Sequence, residues 1–431
     1  MAGLGRGRVG RLAVLAVALL CAAAPTPAWA AGGDLDPSWG GDGKVFTSVY
    51  GYFSYSNDVA IQPDGRIVAV GFTGRRESFA IVRYLPGGRR DLTFGDRGRL
   101  MTNFSRGSDS AEGVAIQGNG KIVVAGGAGG RLNDFAVARY LPAGRLDPAF
   151  SGNGKATTDF WPRGPDGAAA TALQSDGRIV VAGRACGNSR CMFALARYRR
   201  DGTLDPTFEG DGKVRTSFVG GAAASDVAIQ PDGRIVVAGM SDDRFALARY
   251  EADGTLDDSF GGDGRVKFGF GVAFQGARGV AIQDDGAIVV AGHASDFTSP
   301  SVAEAVGFAV ARLDVNGAFD PSFGGGTGKV LTPFAGYAGS ASDVAIQDDG
   351  RIVAVGSGGP DPAWFAVARY LTDGSLDGSF GGDGMVNTCA CGFYPVANAV
   401  AIQANGRIMA AGQADTFNID SQFVVVRYLA D

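Results

Sequence analysis

The sequence is poor in the residues on which common catalytic and nucleic-acid-binding sites depend. Its 431 residues include a single histidine, and only 19% of them are charged. One histidine excludes multi-histidine metal centres and handicaps any Ser-His-Asp mechanism. The net charge of −5, without a basic run, argues against a nucleic-acid partner.

Helical patterns and proline are also scarce. No window has a convincing helical period, and 17 prolines without a three-residue repeat exclude a collagen-like chain. Glycine, by contrast, accounts for 70 of 431 residues, which is about 16% against the usual ~7%. Abundant glycine among β-branched and aromatic residues predicts many short strands joined by tight turns.

Residues 1–30 have the pattern of a removable signal peptide. Residues 1–11 carry three arginines and no acid, residues 12–24 are an apolar run, and Ala-Trp-Ala at 28–30 is a small-x-small cleavage signal. The apolar run is too short to cross ~30 Å of hydrocarbon as a helix. We therefore expect a mature chain of residues 31–431, secreted or held at the cell surface, with no membrane-spanning segment.

One motif recurs seven times along the chain. An example is DVAIQPDGRIVVAG at 226–239, which is preceded by the turn GTLDPTFEGDGKV at 202–214 and followed by FALARY at 245–250. The seven copies of the first segment begin at residues 58, 113, 170, 226, 279, 343 and 399, a mean spacing of about 57 residues. A fixed period of this length is typical of solenoids and propellers, in which each unit is one supersecondary block.

Each unit has the pattern of four strands, which we name A to D. VAIQ (A) and RIVVAG (B) are apolar runs joined by Asp-Gly or Asn-Gly, the signal of a tight hairpin. FALARY (C) alternates as a strand does, and GKVxT (D) completes the unit. The sequence thus predicts an all-β fold, a seven-bladed β-propeller of four-stranded antiparallel blades, as a single domain over residues 31–431.

The phase of the repeat predicts how the ring closes. The mature chain begins with a D strand at 43–47 and ends with a C strand at 423–428. We expect the N-terminal strand to pair with the C-terminal blade, since this leaves no exposed sheet edge.

The combination of LDPTFEGDGKV, VAIQPDGRIVVAG and FALARY resembles the delta-60 repeat, a bacterial repeat of similar length. The resemblance covers residues 35–431. It implies a propeller-like secreted or surface protein, and it implies no particular activity or catalytic residue.

The repeat also assigns the loops to two faces of the predicted ring. The A–B and C–D turns share one face and are nearly identical among the blades, whereas the D–A and B–C loops share the other, here called the variable face. Variation on a repeated scaffold favours this face for ligand binding. Aromatic residues that suit a glycan or peptide surface fall in its loops: Tyr50, Tyr52, Tyr55, Trp161, Tyr337, Trp364 and Tyr394.

The favoured function is therefore a binding module for an extracellular glycan or protein, without a cofactor or catalytic residues. The alternative is a calcium-dependent propeller hydrolase or lyase that uses carboxylates at the channel mouth. Asp58, Asp226 and Asp343 occupy the same repeat position, with Glu112 close by in another blade. These aspartates could equally accept hydrogen bonds from the neighbouring blade, and a passive envelope component is a third interpretation.

Two pairs of cysteines remain after removal of residues 1–30. An even count in an exported chain predicts oxidation. Cys186 and Cys191 flank a short B–C loop and are expected to form a disulfide worth about 2 kcal/mol. Cys389 and Cys391 are one residue apart, and for this pair a strained bond and two thiols both remain open.

Overall fold

The computed structural model describes residues 31–50, 53–74, 77–105, 107–129, 133–162, 164–187, 190–295, 307–334, 339–359, 364–390, 393–415 and 421–431. The predicted signal peptide, residues 1–30, lies outside them. Within these ranges, no helix has the length and apolar character needed to cross a membrane.

The described chain forms seven four-stranded antiparallel sheets, which are the seven predicted blades. The strands of blades 1 to 4, from A to D, are β2 (Ser54–Ile61), β3 (Ile67–Thr73), β4 (Ser78–Tyr84) and β5 (Arg99–Thr102); β6 (Asp109–Ile116), β7 (Ile122–Ala128), β8 (Asp134–Tyr140) and β9 (Lys155–Thr158); β10 (Asp166–Leu173), β11 (Ile179–Gly187), β12 (Arg190–Tyr198) and β13 (Lys213–Thr216); β14 (Ala222–Ile229), β15 (Ile235–Ser241), β16 (Arg244–Tyr250) and β17 (Arg265–Phe268).

Blades 5 to 7 follow the same order, except that the last blade takes its D strand from the start of the chain. Their strands are β18 (Phe274–Ile282), β19 (Ile288–Ser295), β20 (Gly307–Leu313) and β21 (Lys329–Thr332); β22 (Ser340–Ile346), β23 (Ile352–Gly358), β24 (Trp364–Tyr370) and β25 (Met385–Thr388); β26 (Phe393–Ile402), β27 (Ile408–Asp415), β28 (Ser421–Tyr428) and β1 (Lys44–Thr47). A single 3-10 turn, Gly324–Gly326, is the helical element assigned among the described residues.

The predicted closure of the ring is confirmed. Strand β1 pairs antiparallel with β28, with Lys44 opposite Val426 and Thr47 opposite Phe423. The N-terminal strand thus becomes the outer strand of the C-terminal blade, and the edge that β28 would otherwise expose is covered.

The hydrophobic core is divided among the contacts between neighbouring blades. One cluster, for example, joins Leu195 of blade 3 to Val237 and Tyr250 of blade 4, all three fully buried. The Tyr250 hydroxyl donates a hydrogen bond of 2.7 Å to Thr216 Oγ1, which satisfies the polar end of a buried ring. Each blade can bury both of its faces only because a neighbour packs on each side.

The arginine that precedes the last residue of each C strand forms an ion pair with an aspartate that precedes the D strand of the same blade. Arg139 donates from Nε to Asp147 Oδ2 at 2.8 Å, and it also donates to the Arg200 carbonyl in the turn of the next blade. Its guanidinium lies 4.8 Å from the centre of the Phe150 ring. Arg139 and Asp147 are both buried. The hydrogen bond from Arg139 to the Arg200 carbonyl therefore joins successive blades on the face opposite the variable loops.

Strand A begins earlier than the VAIQ segment indicated. Tyr55 was predicted to lie in a loop but lies inside β2, where it is paired with Phe72 of β3. The residues before VAIQ continue the strand because their side chains alternate in burial. Ser54 and Ser56 are fully buried, whereas Tyr55 between them is only partly buried. Trp364 and Tyr394 are likewise strand residues, in β24 and β26.

Candidate functional site at the channel mouth

The central channel contains a cavity of about 700 Å³ at the variable face. Its wall is formed by the first residues of the A strands and the last residues of the B strands. Strand A starts at the D–A loop and strand B ends at the B–C loop, so both contribute from the same side. The cavity therefore lies on the face that the sequence favours for ligand binding.

A β-bulge occurs at the same point of every A strand, where the register with strand B shifts by one residue. A bulge re-aims the side chain of the inserted residue. The inserted residues, here called the bulge ring, all line the cavity: Asn57, Glu112, Ala169, Ser225, Arg278, Ser342 and Asn398. The ring mixes amide, hydroxyl, acidic, basic and apolar groups, whereas the strand that follows it is nearly the same in every blade.

An unvarying glycine in strand B makes room for the bulge. A Cβ on Gly239 would overlap the carbonyl oxygen of Ala223 in the adjacent A strand. The corresponding glycines of the other blades meet the same obstacle: Gly71, Gly126, Gly183, Gly292, Gly356 and Gly412. The glycine that ends each RIVVAG segment is therefore required by a close approach of two strands.

The bulge ring was not predicted from the sequence. The available signal was the position five residues before the repeated Gln, which has five residue types in the seven blades, close to the nearly constant VAIQ segment. Period-two alternation cannot show that this position faces the channel, because the bulge interrupts the alternation at that residue.

The three channel aspartates, Asp58, Asp226 and Asp343, fasten adjacent A strands together. Asp58 accepts a hydrogen bond from the Val59 amide at Oδ1 and another from the Val114 amide of the next blade at Oδ2, each at 2.7 Å. The other two repeat this arrangement with their own following residue and with the next blade. Both oxygens of each carboxylate are thus engaged with backbone amides, which is the scaffold role considered for them above.

Burial perturbs the acids of the cavity wall. It raises the pKa of Asp58 to about 7 against the lowering effect of its amide donors, and the charges of Asp226 and Glu112 add to the rise. Burial also raises the pKa of Glu112 to about 7, although the Ser110 hydroxyl opposes this. The pKa of Asp343 is raised by burial and by the charge of Asp226. Near neutral pH the wall therefore carries less negative charge than its number of carboxyl groups suggests.

Two asparagines of the bulge ring connect neighbouring blades. Asn57 Nδ2 donates to the Ala111 carbonyl at 2.9 Å and to Glu112 Oε2 at 3.0 Å. Asn398 Nδ2 donates to the Ser56 carbonyl at 2.8 Å across the closure between blades 7 and 1. These contacts orient polar side chains along one side of the mouth, next to Glu112.

Four aromatic residues of the predicted set have described side chains. Tyr50 packs partly against the core and has the Arg99 guanidinium 4.9 Å from its ring centre. Tyr55 contacts Phe72 with 5.0 Å between ring centres.

Trp161 follows strand β9 and is also half-buried. It packs against the core between blades 2 and 3, and the Arg215 guanidinium lies 4.5 Å from its ring centre. Trp364 is the first residue of β24 and is partly exposed. The predicted Tyr52 and Tyr337 and the side chain of Tyr394 lie outside the described residues. Tyr50, Tyr55 and Trp161 are thus partly committed to internal contacts, and the role of the four residues in binding stays a prediction.

His293 lies within β19 and does not open the following loop, because that strand continues to Ser295. Its Nδ1 is buried and has no hydrogen-bond partner among the described residues. Burial lowers the pKa of His293, with a further lowering by Arg278 and an opposing effect of Asp243. No nucleophile is paired with it in the described part of the chain.

The predicted disulfide is present. Cys186 and Cys191 are bonded at the end of the β11–β12 hairpin, where they are directly opposite each other. For the second pair, Cys391 lies outside the described residues.

Comparison with known families shows to which family the chain belongs. The family described as "Domain of unknown function (DUF5122) beta-propeller" matches seven segments, at residues 62–94, 117–150, 174–208, 230–260, 283–323, 347–380 and 403–431. The chain belongs to this family. The first six DUF5122 segments run from the A–B turn of a blade to its C–D turn, and the seventh runs from the A–B turn to residue 431. All seven leave out the bulge ring and the start of strand A. No curated protein matches the sequence.

Solved structures share the propeller fold at low sequence identity. A catalytically inactive virginiamycin B lyase from Staphylococcus aureus, solved with quinupristin, is 9% identical with a TM-score of 0.53, covering 89% of this chain and 98% of its own. YCF48 bound to the D1 peptide is 12% identical with a TM-score of 0.52, covering 94% and 99%. A protein of unknown function from Dyadobacter fermentans is 10% identical with a TM-score of 0.50, covering 90% and 98%. At these identities the likeness concerns the fold alone.

Proposed function

We propose that this DUF5122 propeller is a secreted or cell-surface binding module that takes a glycan at the channel mouth of its variable face. The observation that carries the proposal is the bulge ring, which places one side chain from each of the seven blades, of five residue types in all, in one cavity of about 700 Å³. The finer resemblance to delta-60 repeat proteins and the predicted signal peptide support an extracellular site of action.

The chemistry of the wall favours a ligand rich in hydroxyl groups. Asn57, Asn398 and the serines of the bulge ring offer amide and hydroxyl hydrogen bonds. Arg184 and Arg278 are exposed at the same wall and could pair with an acidic sugar. A wall with several donors and acceptors and few large apolar side chains suits a sugar chain better than an apolar peptide.

The calcium-dependent hydrolase or lyase receives no support from the channel aspartates. Both oxygens of Asp58, Asp226 and Asp343 are occupied by amide donors, which leaves their strongest acceptor positions unavailable to an ion. The one histidine of the sequence has no nucleophile beside it in the described chain. We therefore place binding, and not catalysis, at this mouth.

The test uses a matched pair of tryptophan substitutions. Ala169→Trp fills the cavity from the bulge ring, whereas Ala404→Trp adds the same bulk to an exposed A–B turn on the opposite face. The purified protein is screened on an array of glycans and peptides, and the best ligand is titrated against both variants by calorimetry. We expect Ala169→Trp to abolish binding and Ala404→Trp to leave the dissociation constant within a factor of two.

A third variant tests the polar wall directly. Arg278→Ala removes an exposed charged donor from the bulge ring, and a hydrogen bond to a charged group is worth about 1.5–3 kcal/mol, or at least tenfold in affinity. Binding that survives Ala169→Trp but is lost in Ala404→Trp would place the ligand on the opposite face. A hit confined to peptides would retain the site and reject the glycan.

A further inference from the structure

A separate cluster of acids lies between blades 2 and 3 on the variable face. Asp134 begins β8, Asp159 directly follows β9, and Asp166 begins β10. One carboxylate oxygen from each lies within 4.8 Å of the other two. Three strand ends from two blades thus bring three carboxylates to one point, outside the set of residues that line the cavity.

The most deeply placed of the three has an oxygen without a hydrogen-bond donor. Asp166 is 2% exposed, and its Oδ2 accepts a hydrogen bond of 2.7 Å from the Phe160 amide. Its Oδ1 is buried and has no partner among the described residues. The amides of Trp161 and Cys186 also face this carboxyl and lower its pKa, but no hydrogen bond of ordinary geometry reaches Oδ1. An unsatisfied buried carboxylate oxygen is costly unless a cation completes it.

At the preceding junction, between blades 1 and 2, hydrogen bonds satisfy the carboxylate at the equivalent position. There Asp109 stands where Asp166 stands, and its Oδ1 accepts hydrogen bonds from Ser105 Oγ at 3.0 Å and from the Gly129 amide at 3.2 Å. The other two positions hold neutral residues, and Ser78 Oγ donates to Asn103 Oδ1. That junction therefore holds a single carboxylate, and hydrogen bonds from the chain satisfy both of its oxygens.

Three replacements between these equivalent junctions change its chemistry together. Trp161 occupies the place of Ser105 and removes the hydroxyl donor, while Asp134 and Asp159 replace the hydrogen-bonded Ser78 and Asn103. A cluster with one satisfied carboxylate at the first junction thus corresponds to three carboxylates and an unsatisfied oxygen at the second. Such a set of changes creates a site for positive charge.

No side-chain cation of the described chain neutralises the cluster. None of the three acids takes part in an ion pair among the described residues. Within this cluster, Lys213 Nζ contacts only the backbone carbonyl of Asp159, at 3.5 Å. Burial raises the pKa of Asp134, and the charges of Asp159 and Asp166 add to the effect. Burial also raises the pKa of Asp166, where the Asp159 charge opposes the lowering by nearby amides.

We propose that Asp134, Asp159 and Asp166 bind a divalent cation, with Ca²⁺ as the ion of best fit. Ca²⁺ takes six to eight oxygen ligands in flexible geometry and accepts carboxylates together with water. Asp166 supplies the buried oxygen, and the exposed Asp159 leaves one side open for water ligands. A site with three carboxylates and an open side belongs to the weak extracellular class, with a dissociation constant of about 10⁻⁴–10⁻³ M.

The test uses the metal ions alone and does not depend on the glycan proposal. Tb³⁺, which substitutes for Ca²⁺, is added to the purified protein and excited through tryptophan, and Ca²⁺ is then used to displace it. Trp161 is two residues from Asp159 and adjoins Asp166, so it is the expected donor of the excitation energy. We expect a Tb³⁺ signal that Ca²⁺ reverses, and a loss of most of that signal in Trp161→Phe with calorimetric Ca²⁺ binding retained.

Charge-removing variants identify the ligands. Asp134→Asn combined with Asp159→Asn should weaken Ca²⁺ binding at least tenfold, and Asp284→Asn, an exposed turn residue on the opposite face, should leave it unchanged. Unaltered far-ultraviolet circular dichroism confirms that each variant is folded. The proposal is overturned if the unmodified protein binds no Ca²⁺ at 10 times the expected constant, or if the double variant binds it as well as the Asp284→Asn control.

Discussion

The closure of the ring by the N-terminal segment can be tested with a single substitution, Trp39→Ala. Trp39 is fully buried, its Nε1 donates to the Val425 carbonyl at 3.1 Å, and its ring centre lies 5.9 Å from that of Tyr84. Val425 belongs to blade 7 and Tyr84 to blade 1, so this one side chain contacts both blades that the closure joins. Arg427 also covers its ring, at 5.1 Å.

The expected cost follows from these contacts. Truncation of a buried aromatic residue to alanine costs about 3–5 kcal/mol, and the loss of the hydrogen bond to a buried carbonyl adds about 1 kcal/mol. Propellers of roughly 400 residues that unfold as one unit have an unfolding entropy of about 0.8 kcal/mol/K near the midpoint. Trp39→Ala should therefore lower Tm by about 5–7 °C.

Phe260→Ala is the matched control. Phe260 is fully buried, occupies the same turn position in blade 4, and lies beneath Arg249 as Trp39 lies beneath Arg427. Scanning calorimetry of the two variants should give decreases in Tm of similar size, because a closed ring has no weak junction. If Trp39→Ala leaves Tm unchanged while Phe260→Ala lowers it, the N-terminal segment does not hold the ring closed.

Three further predictions concern the channel, the bulges and the disulfide. Because burial raises the folded pKa of Asp58 from 3.8 to about 7, its contribution to stability is full below pH 4 and is lost as the pH rises to 7, so Asp58→Asn should flatten the fall of Tm between pH 4 and pH 7. Gly239→Ala should reduce the free energy of unfolding by about 1–3 kcal/mol in urea titrations, since its Cβ overlaps the Ala223 carbonyl; an unchanged midpoint would contradict the packing argument. Peptide mapping of the purified protein without reductant should find Cys186 linked to Cys191, and alkylation of either as a free thiol would refute the bond.

Most of the architecture was determined by the sequence itself. Strand type and number follow from local rules, because Asp-Gly turns and alternating apolar runs recur seven times. In the A–B turn of blade 1, for instance, Gly65 has φ of 80° as the turn pattern requires. The closure was predictable from the phase of the repeat, and the ion pair of Arg139 with Asp147 from its recurrence in every blade.

The candidate site was decided by the tertiary structure, because its residues are far apart in sequence and meet only when the ring closes. Asn57 and Asn398 are separated by most of the chain, yet both line one cavity. A bulge turns their side chains toward the channel, and no local pattern encodes that displacement. Tyr55, which the sequence places in a loop, is part of the extended A strand and packs against Phe72.

The cluster of Asp134, Asp159 and Asp166 shows the same division. Each residue by itself is an ordinary polar residue at a strand end, and the seven-fold alignment shows no acidic motif at these positions. Only the junction of two blades brings the three carboxylates within 4.8 Å of one another and removes water from Asp166. Local sequence determines strands and turns through backbone geometry, whereas the chemistry of a propeller surface depends on which strand ends the packing of the blades brings together.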